Sequence, residues 1–281
     1  MRTSLPPLSA SRAAQAALVV VLIVPNIVLT QWSVEAIFNG KMAVDWVQYV
    51  EAGDRVWTGE LYGSTATYGW RYSPILAYAF TLIGLMGTLA WRVLHFVAAF
   101  ALPGWKLVLV TLISWPFWFD VETGNTMVFI FLAAAWAVRG SRIGIFAFLA
   151  LALLIPRPLM LPVAAWILWK HPEWRWRFAA MFVIHGLAVL VTGWGPAWIA
   201  ELLWSPADHL SPSNVGPSRF IGLSWLIVGV PLAAFLTWKG RLGLASLAVS
   251  PYLLPYYLIM GLLELVPARQ RRAPAAGLES P

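Results

Sequence analysis

Several stretches of this chain are apolar on every side rather than on one face, and nothing else restricts its fold as tightly. Residues 13–30, 178–191 and 220–238 contain no Asp, Glu, Lys or Arg. A helix of that kind needs lipid or other helices around its whole circumference. A closed barrel is the other structure able to span a bilayer, but these runs lack the alternation of period two that a barrel strand requires. The composition agrees, since 60% of the 281 residues are hydrophobic and 11% charged. The expected fold is all-α, a polytopic helical membrane protein.

The net charge of +7 is compatible with nucleic-acid binding only if the basic residues gather on one surface. Instead they sit in short clusters at the ends of apolar runs: Arg2 and Arg12, Arg139 and Arg142, residues 170–177, Lys239 and Arg241, and residues 269–272. Such clusters mark cytoplasmic loops, so a membrane partner is expected and a nucleic-acid partner is not. Arg2 and Arg12 place the N-terminus inside and residues 34–71 outside. A second span over residues 72–88 returns inward, and the stretch 91–102 disturbs the alternation if it crosses alone. Residues 170–177 carry the strongest inside signal, residues 193–219 form a second outer loop, and residues 242–266 read as a hairpin broken at Ser250-Pro251. At roughly 20 residues per crossing, this gives about eight to ten membrane segments, some short or broken. Residues 1–266 make one transmembrane domain and 267–281 a basic, Pro-rich cytoplasmic tail. The first run lacks a cleavage site and reads as a retained helix. The location expected is the plasma (inner) membrane. The absence of Cys excludes disulfides, thiolate nucleophiles and Cys-based metal sites.

Polar residues capable of chemistry concentrate in the first outer loop. Asp45-Trp46 with Tyr49, Gly59 to Tyr62, and Trp70-Arg71-Tyr72-Ser73-Pro74 bring a carboxylate, aromatics and an Arg to a membrane face. Asp45 can serve as a general base, or be a solvated loop carboxylate or helix N-cap. Glu51, Asp54 and Glu60 read as solvated. Asp120 and Glu122 flank a turn before Asn125, where Asp120 can bind sugar hydroxyls, join Asp45 around a divalent cation, or cap a helix. Arg157 lies between two prolines inside an apolar stretch. An ionisable residue there is costly and reads as functional, or it snorkels to the interface. Arg71 and Arg219 are further candidates for meeting a phosphate. His95 and His185 read as packed side chains, while His209, beside Asp208, can approach the site from the second loop. No nucleotide-type Gly-rich loop and no zinc spacing is present.

The first block resembles the opening of glycosyltransferase family 87, polyprenyl-phosphate-sugar-dependent enzymes of the GT-C class that include mannosyltransferases. The resemblance rests on Asp45-Trp46 with Tyr49, Gly59 to Tyr62, and the aromatic-x-Tyr-x-Pro of Trp70 to Pro74. Gly124-Asn125, Arg157-Pro158 and Ser250-Pro251 extend it in order to about residue 260. The chain departs from the family at Tyr256-Tyr257, where a His pair is common, and at Met127, where an Asn is common. It is also short for the family, implying fewer late helices.

The resemblance implies a GT-C-like domain that moves a hexose, mannose above others, from a polyprenyl phosphate carrier to a lipid or glycan acceptor on the extracytoplasmic side. Asp45 would be the catalytic base. Tyr49, Arg71, Tyr72, Asp120, Asn125, Arg157, Tyr256 and Tyr257 would bind substrate. No cofactor is expected, with a divalent cation left open. The alternative is a catalytically inactive membrane protein of the same fold that binds or translocates lipid.

Overall fold

The computed structural model describes residues 10–62, 70–204 and 214–266, and the side chains of residues 23–62, 70–202 and 214–266. Among the described residues the elements are helical, and the chain is an all-α polytopic membrane protein. The tail at 267–281, Arg2, Asp208 and His209 lie outside the described residues, as does the side chain of Arg12.

The first helix, α1 (Ala10–Phe38), has 29 residues and is about 43 Å long at the usual rise, enough to cross a bilayer core of about 30 Å. Helix α2 (Val44–Thr58) is different in kind. It buries Trp46, Tyr49, Ala52, Gly53 and Val56, spaced to make one stripe, while Glu51 and Asp54 are exposed. Gly59 ends it in the left-handed conformation at φ 85°, its N–H donating to the Arg55 carbonyl, a common helix stop.

Helix α3 (Pro74–Ile83) starts where the Ser73 hydroxyl accepts from the Ile75 N–H, with Pro74 at a position that has no intrahelical N–H bond to lose. A 3-10 turn at Gly84–Met86 separates it from α4 (Gly87–Phe100). Together, Pro74–Phe100 forms one apolar helical stretch of 27 residues. The break at Gly84–Gly87 lies at the expected end of the second span near residue 88, and the apolar run continues beyond it into α4. The reason is local, because Gly87 takes φ 75°, which lets the chain turn and start a new helix without interrupting the apolar run.

Helices α5 (Trp105–Ile113) and α6 (Trp115–Thr123) meet at Ser114, which is extended. Next come α7 (Met127–Val138) and α8 (Arg142–Leu154), turned through Gly140 at φ 78°. Their crossing is tight at Gly144, where an added Cβ would lie 2.6 Å from the Trp136 Cβ. Helix α7 is the centre of the bundle, buried all round from Met127 to Val138 apart from a few partly exposed positions.

Helices α9 (Leu161–Lys170), α10 (Trp174–Val191), α11 (Gly195–Trp204), α12 (Ser218–Ile221), α13 (Trp225–Trp238) and α14 (Leu242–Val249) follow. A 3-10 segment at Pro255–Leu265 ends the described chain. The expected hairpin at 242–266 is present as α14 and that segment. They lie so close that a Cβ on Gly243 would stand 2.6 Å from the Met260 carbonyl oxygen.

Pro74–Phe100, Trp174–Val191 and Ser218–Trp238 are long and apolar enough to cross a membrane, and shorter apolar helices fill the bundle between them. Helices α10 and α13 leave Phe182, Ile184, Leu190, Ile227 and Phe235 exposed. Large side chains on such faces require a hydrocarbon solvent.

Candidate active site at the start of the amphipathic helix

Asp45 occupies the first turn of α2 and is half-buried. Its Oδ2 accepts a hydrogen bond of 2.8 Å from the Asn125 Nδ2. The two residues are 80 positions apart and meet because α6 ends at Gly124. At φ 71° this glycine turns the chain back, and its own N–H donates to the Asp120 carbonyl. A Cβ there would stand 2.8 Å from the Trp46 Cβ and 3.1 Å from the Ala43 Cβ. Only a glycine allows the turn and α2 to approach so closely.

The turn is fixed from several sides. Trp91 stacks on Trp46 at 4.8 Å between ring centroids and donates from Nε1 to the Gly124 carbonyl. Lys41 Nζ stands 2.5 Å from Glu122 Oε1, and Arg92 donates to the carbonyl oxygens of both Lys41 and Glu122. This clamp lies four residues before Asp45 and three before Asn125. The Asn125 Oδ1 is occupied by the Thr126 N–H at 2.7 Å. The amide is thus oriented, with its NH₂ toward the carboxylate.

Two assignments are corrected here. Asp120 is fully buried and its carboxylate accepts from the Met127 and Val128 N–H groups at 3.3 and 2.8 Å. It caps α7, where a carboxylate satisfies orphan amides and meets the positive helix end, and its oxygens are not offered to a substrate. Asn125 is 1% exposed and its side chain is committed to Asp45 and Thr126, so it orients the carboxylate instead of binding substrate. The Asp120 oxygens already accept two backbone amides, so a divalent cation shared with Asp45 would compete with the cap of α7. Among the described residues, no three His, Asp or Glu side chains gather in a way fit for a metal.

Arg157 enters from the break between α8 and α9, at the start of a 3-10 turn, Pro158–Met160. Its guanidinium lies 4.9 Å from the Tyr72 ring centroid and 4.8 Å from that of Tyr257, and it donates to the Tyr72 hydroxyl. Two aromatic faces and a phenol oxygen hold this half-buried guanidinium against the bundle. Tyr72 lies 5.9 Å from Tyr49 and 4.9 Å from Trp70, and Tyr256 packs 5.0 Å from Tyr257. The buried Tyr257 hydroxyl has no hydrogen-bond partner among the described residues.

Burial pushes the Asp45 carboxyl above the ordinary carboxylate value of 3.8. Hydrogen bonds from Asn125 and Thr123, the charge of Arg157 and the Tyr256 hydroxyl oppose that rise without cancelling it. Burial also raises Tyr49 and Tyr72, aided at both by the negative charge of Asp45, so these phenols stay protonated and can donate. Arg71 stands 3.8 Å from Glu201 of α11, and its carbonyl accepts from Trp198 Nε1. Its desolvation is only partly offset by Glu201. Arg219 belongs to α12, and His185 pairs with the Ser73 hydroxyl at 2.8 Å.

Thus Asp45, Tyr49, Tyr72, Asn125, Arg157, Tyr256 and Tyr257 meet in one neighbourhood, with Arg71 beside it. The sequence did not single out Lys41, Arg92, His95 or Thr123 for this neighbourhood. A usable signal was the spacing of Trp91, Arg92 and His95, a polar stripe at intervals of three to four inside an apolar run. Compared with protein-family models, curated proteins and solved structures, the chain matches none.

Proposed function

We propose that this membrane protein is a glycosyltransferase that moves a hexose, mannose in the first instance, from a polyprenyl phosphate carrier to a hydroxyl of a lipid or glycan acceptor. The observation that carries the reading is the convergence of a desolvated carboxylate and an aromatic-held guanidinium, with Arg157 close enough to act on the charge of Asp45. Asp45 removes the proton of the acceptor hydroxyl as its oxygen bonds to the anomeric carbon. The bond from that carbon to the carrier phosphate breaks, and the phosphate leaves as an anion. General-base help of this kind is worth about 10²–10⁴ in rate. The Asn125 amide holds Oδ2, and the acceptor hydroxyl would bond the carboxylate beside the Thr123 and Tyr256 hydroxyls. Arg157 supplies positive charge and a planar fork for the leaving phosphate, with Arg71 as a second cation near the opening. The basic cluster at 170–177 belongs on the cytoplasmic side by the positive-inside rule, with Asp45 on the opposite face.

The experiment is a transfer assay with labelled polyprenyl-phosphate mannose on membranes carrying the full chain. The parent should transfer sugar and Asp45→Asn should not. The variant should keep or raise its thermal midpoint, because an amide removes a desolvated carboxylate from the site. Turnover by Asp45→Asn within a factor of about two of the parent would end the assignment of the base. Carrier lipid bound by the parent but left unconverted would point to a binding protein instead.

A further inference from the structure

His95 is the one fully buried histidine among the described residues, and the transfer step outlined above does not use it. Its ring nitrogens stand 2.8 Å from two backbone carbonyl oxygens, Nδ1 from Trp91 and Nε2 from Asn125. Nε2 is also 3.7 Å from the Asp120 carboxylate. The ring packs edge-on against Trp91 at 5.5 Å and against Phe129 at 5.1 Å. A buried imidazole needs polar partners for its nitrogens whatever its role; what distinguishes His95 is where those partners lie. Here each contact lands on the turn that carries Asn125 or on the helix that braces it.

The connections run in one direction. Asp120 fixes the start of α7 through the amides of Met127 and Val128. In its Nε2–H tautomer, His95 donates to the Asn125 carbonyl on the opposite side of the same turn. Between those anchors the Asn125 side chain has a single orientation, and its NH₂ meets Asp45 Oδ2.

We propose that His95 is a positioning residue for the Asp45 carboxylate, acting through Asn125. It touches no reacting atom in this account. Its work is to keep the carboxamide donor of Asn125 within bonding distance of the base. The proposal rests on the reading of Asp45 as the working base, but its physical content, a His95-dependent environment at Asp45, does not need turnover to be tested. Charged and titratable groups facing the cluster are Asp45 from α2, Arg92 from α4, Asp120 from α6, Arg157 from the break between α8 and α9 and Tyr256 from the last 3-10 segment, with Lys41 and Glu122 paired at its edge.

The test uses the detergent-solubilised full chain in two measurements. In the first, the pH dependence of Asp45 modification by a water-soluble carbodiimide and an amine is followed by peptide mass spectrometry. In the second, kcat and KM for transfer are measured on the same preparations. His95→Phe keeps a ring and removes both nitrogens, while His95→Gln keeps one polar reach toward the Asn125 carbonyl.

With His95→Phe the Asp45 midpoint should move up by about 1 unit, tenfold in its ionisation constant. The kcat should fall by about tenfold or more, with KM for the carrier lipid nearly unchanged. His95→Gln should recover part of both. An unchanged Asp45 midpoint in a folded His95→Phe protein would overturn the proposal, and so would equal losses in Phe and Gln variants explained by a lower thermal midpoint. If the parent transfers no sugar, the glycosyltransferase reading fails. A moved Asp45 midpoint would still support the positioning role, and an unmoved one would defeat it.

Discussion

Replacing Gly124 by Ala isolates the close approach on which the site depends. Gly124 and Gly59 both hold positive φ, at 71° and 85°, so an alanine at either pays about 1–2 kcal/mol for the left-handed backbone. Around Gly59 an added Cβ meets nothing within 4 Å, whereas at Gly124 it meets the Cβ atoms of Trp46 and Ala43 at 2.8 and 3.1 Å. Both neighbours are the rigid first atoms of side chains, Trp46 on α2 and Ala43 at its N-cap, so relief requires moving the start of the helix itself. Overpacking of that kind adds about 1–3 kcal/mol. The expected losses are therefore about 2–5 kcal/mol for Gly124→Ala and about 1–2 for Gly59→Ala. Thermal unfolding in one detergent, followed by tryptophan fluorescence, gives the comparison. Only Gly124→Ala should also disturb the native signal, because it wedges apart the stacked Trp46 and Trp91. Transfer should fall with it, since the same wedge separates Asp45 from Asn125. Equal losses of stability at the two glycines would refute the contact between the α6 turn and α2.

Arg157→Ala should weaken carrier-lipid binding by about 2–5 kcal/mol, and Arg157→Lys should recover only part because an ammonium lacks the fork that bonds Tyr72 and phosphate together; direct lipid-binding measurements decide it, and unchanged affinity in both would move the phosphate to Arg71 or Arg219. The acidic limb of the transfer rate should lie above 3.8, because the base works only when ionised and burial raises Asp45; Asn125→Ala should move that limb further up. The same shift contributes to stability in a defined direction. Asp45 binds its proton more tightly in the folded chain, so its contribution is full below 3.8 and is lost as pH rises through the raised folded value. A pH series of thermal midpoints on parent and Asp45→Asn, which lacks this group, reads that difference.

Local signals in the sequence were sufficient for the class and for much of the segmentation. The uncharged run 178–191 lies within α10 and the run 220–238 covers the end of α12 and all of α13, and Ser250-Pro251 became a break, whereas Pro25 and Pro231 lie inside helices. The single apolar stripe on α2 was equally readable, since a helical face is a matter of spacing. The pairing of Asp45 with Asn125 was not. It depends on a left-handed glycine at 124 and on the small Ala43 across from it, which together decide how near two distant segments come. Asp120 and Asn125 looked like binding residues because a polar turn between apolar helices reads the same whether its side chains face a substrate or the backbone. Their commitment to Val128, Thr126 and Asp45 is a tertiary fact. For the same reason His95 read as an ordinary packed histidine, since an isolated imidazole in an apolar run gives no hint of what faces its nitrogens.

Asn26 adds a consequence for how the bend between α5 and α6 is held. The break at Ser114 frees a carbonyl at the end of α5 and an N–H at the start of α6. Asn26 of α1 bonds both, donating 2.9 Å to the Ile113 oxygen and accepting 2.7 Å from the Trp115 N–H. In hydrocarbon such a break has no water to fall back on. One carboxamide of α1 thus satisfies both groups freed at the break, so the bend between α5 and α6 depends on α1 staying close to it. With Pro116 fixing the start of α6, the bend remains when Asn26 is made Leu, but the Ile113 carbonyl and the Trp115 N–H lose their partner, so Asn26→Leu should lower the thermal midpoint; a midpoint equal to the parent's would count against this role of Asn26.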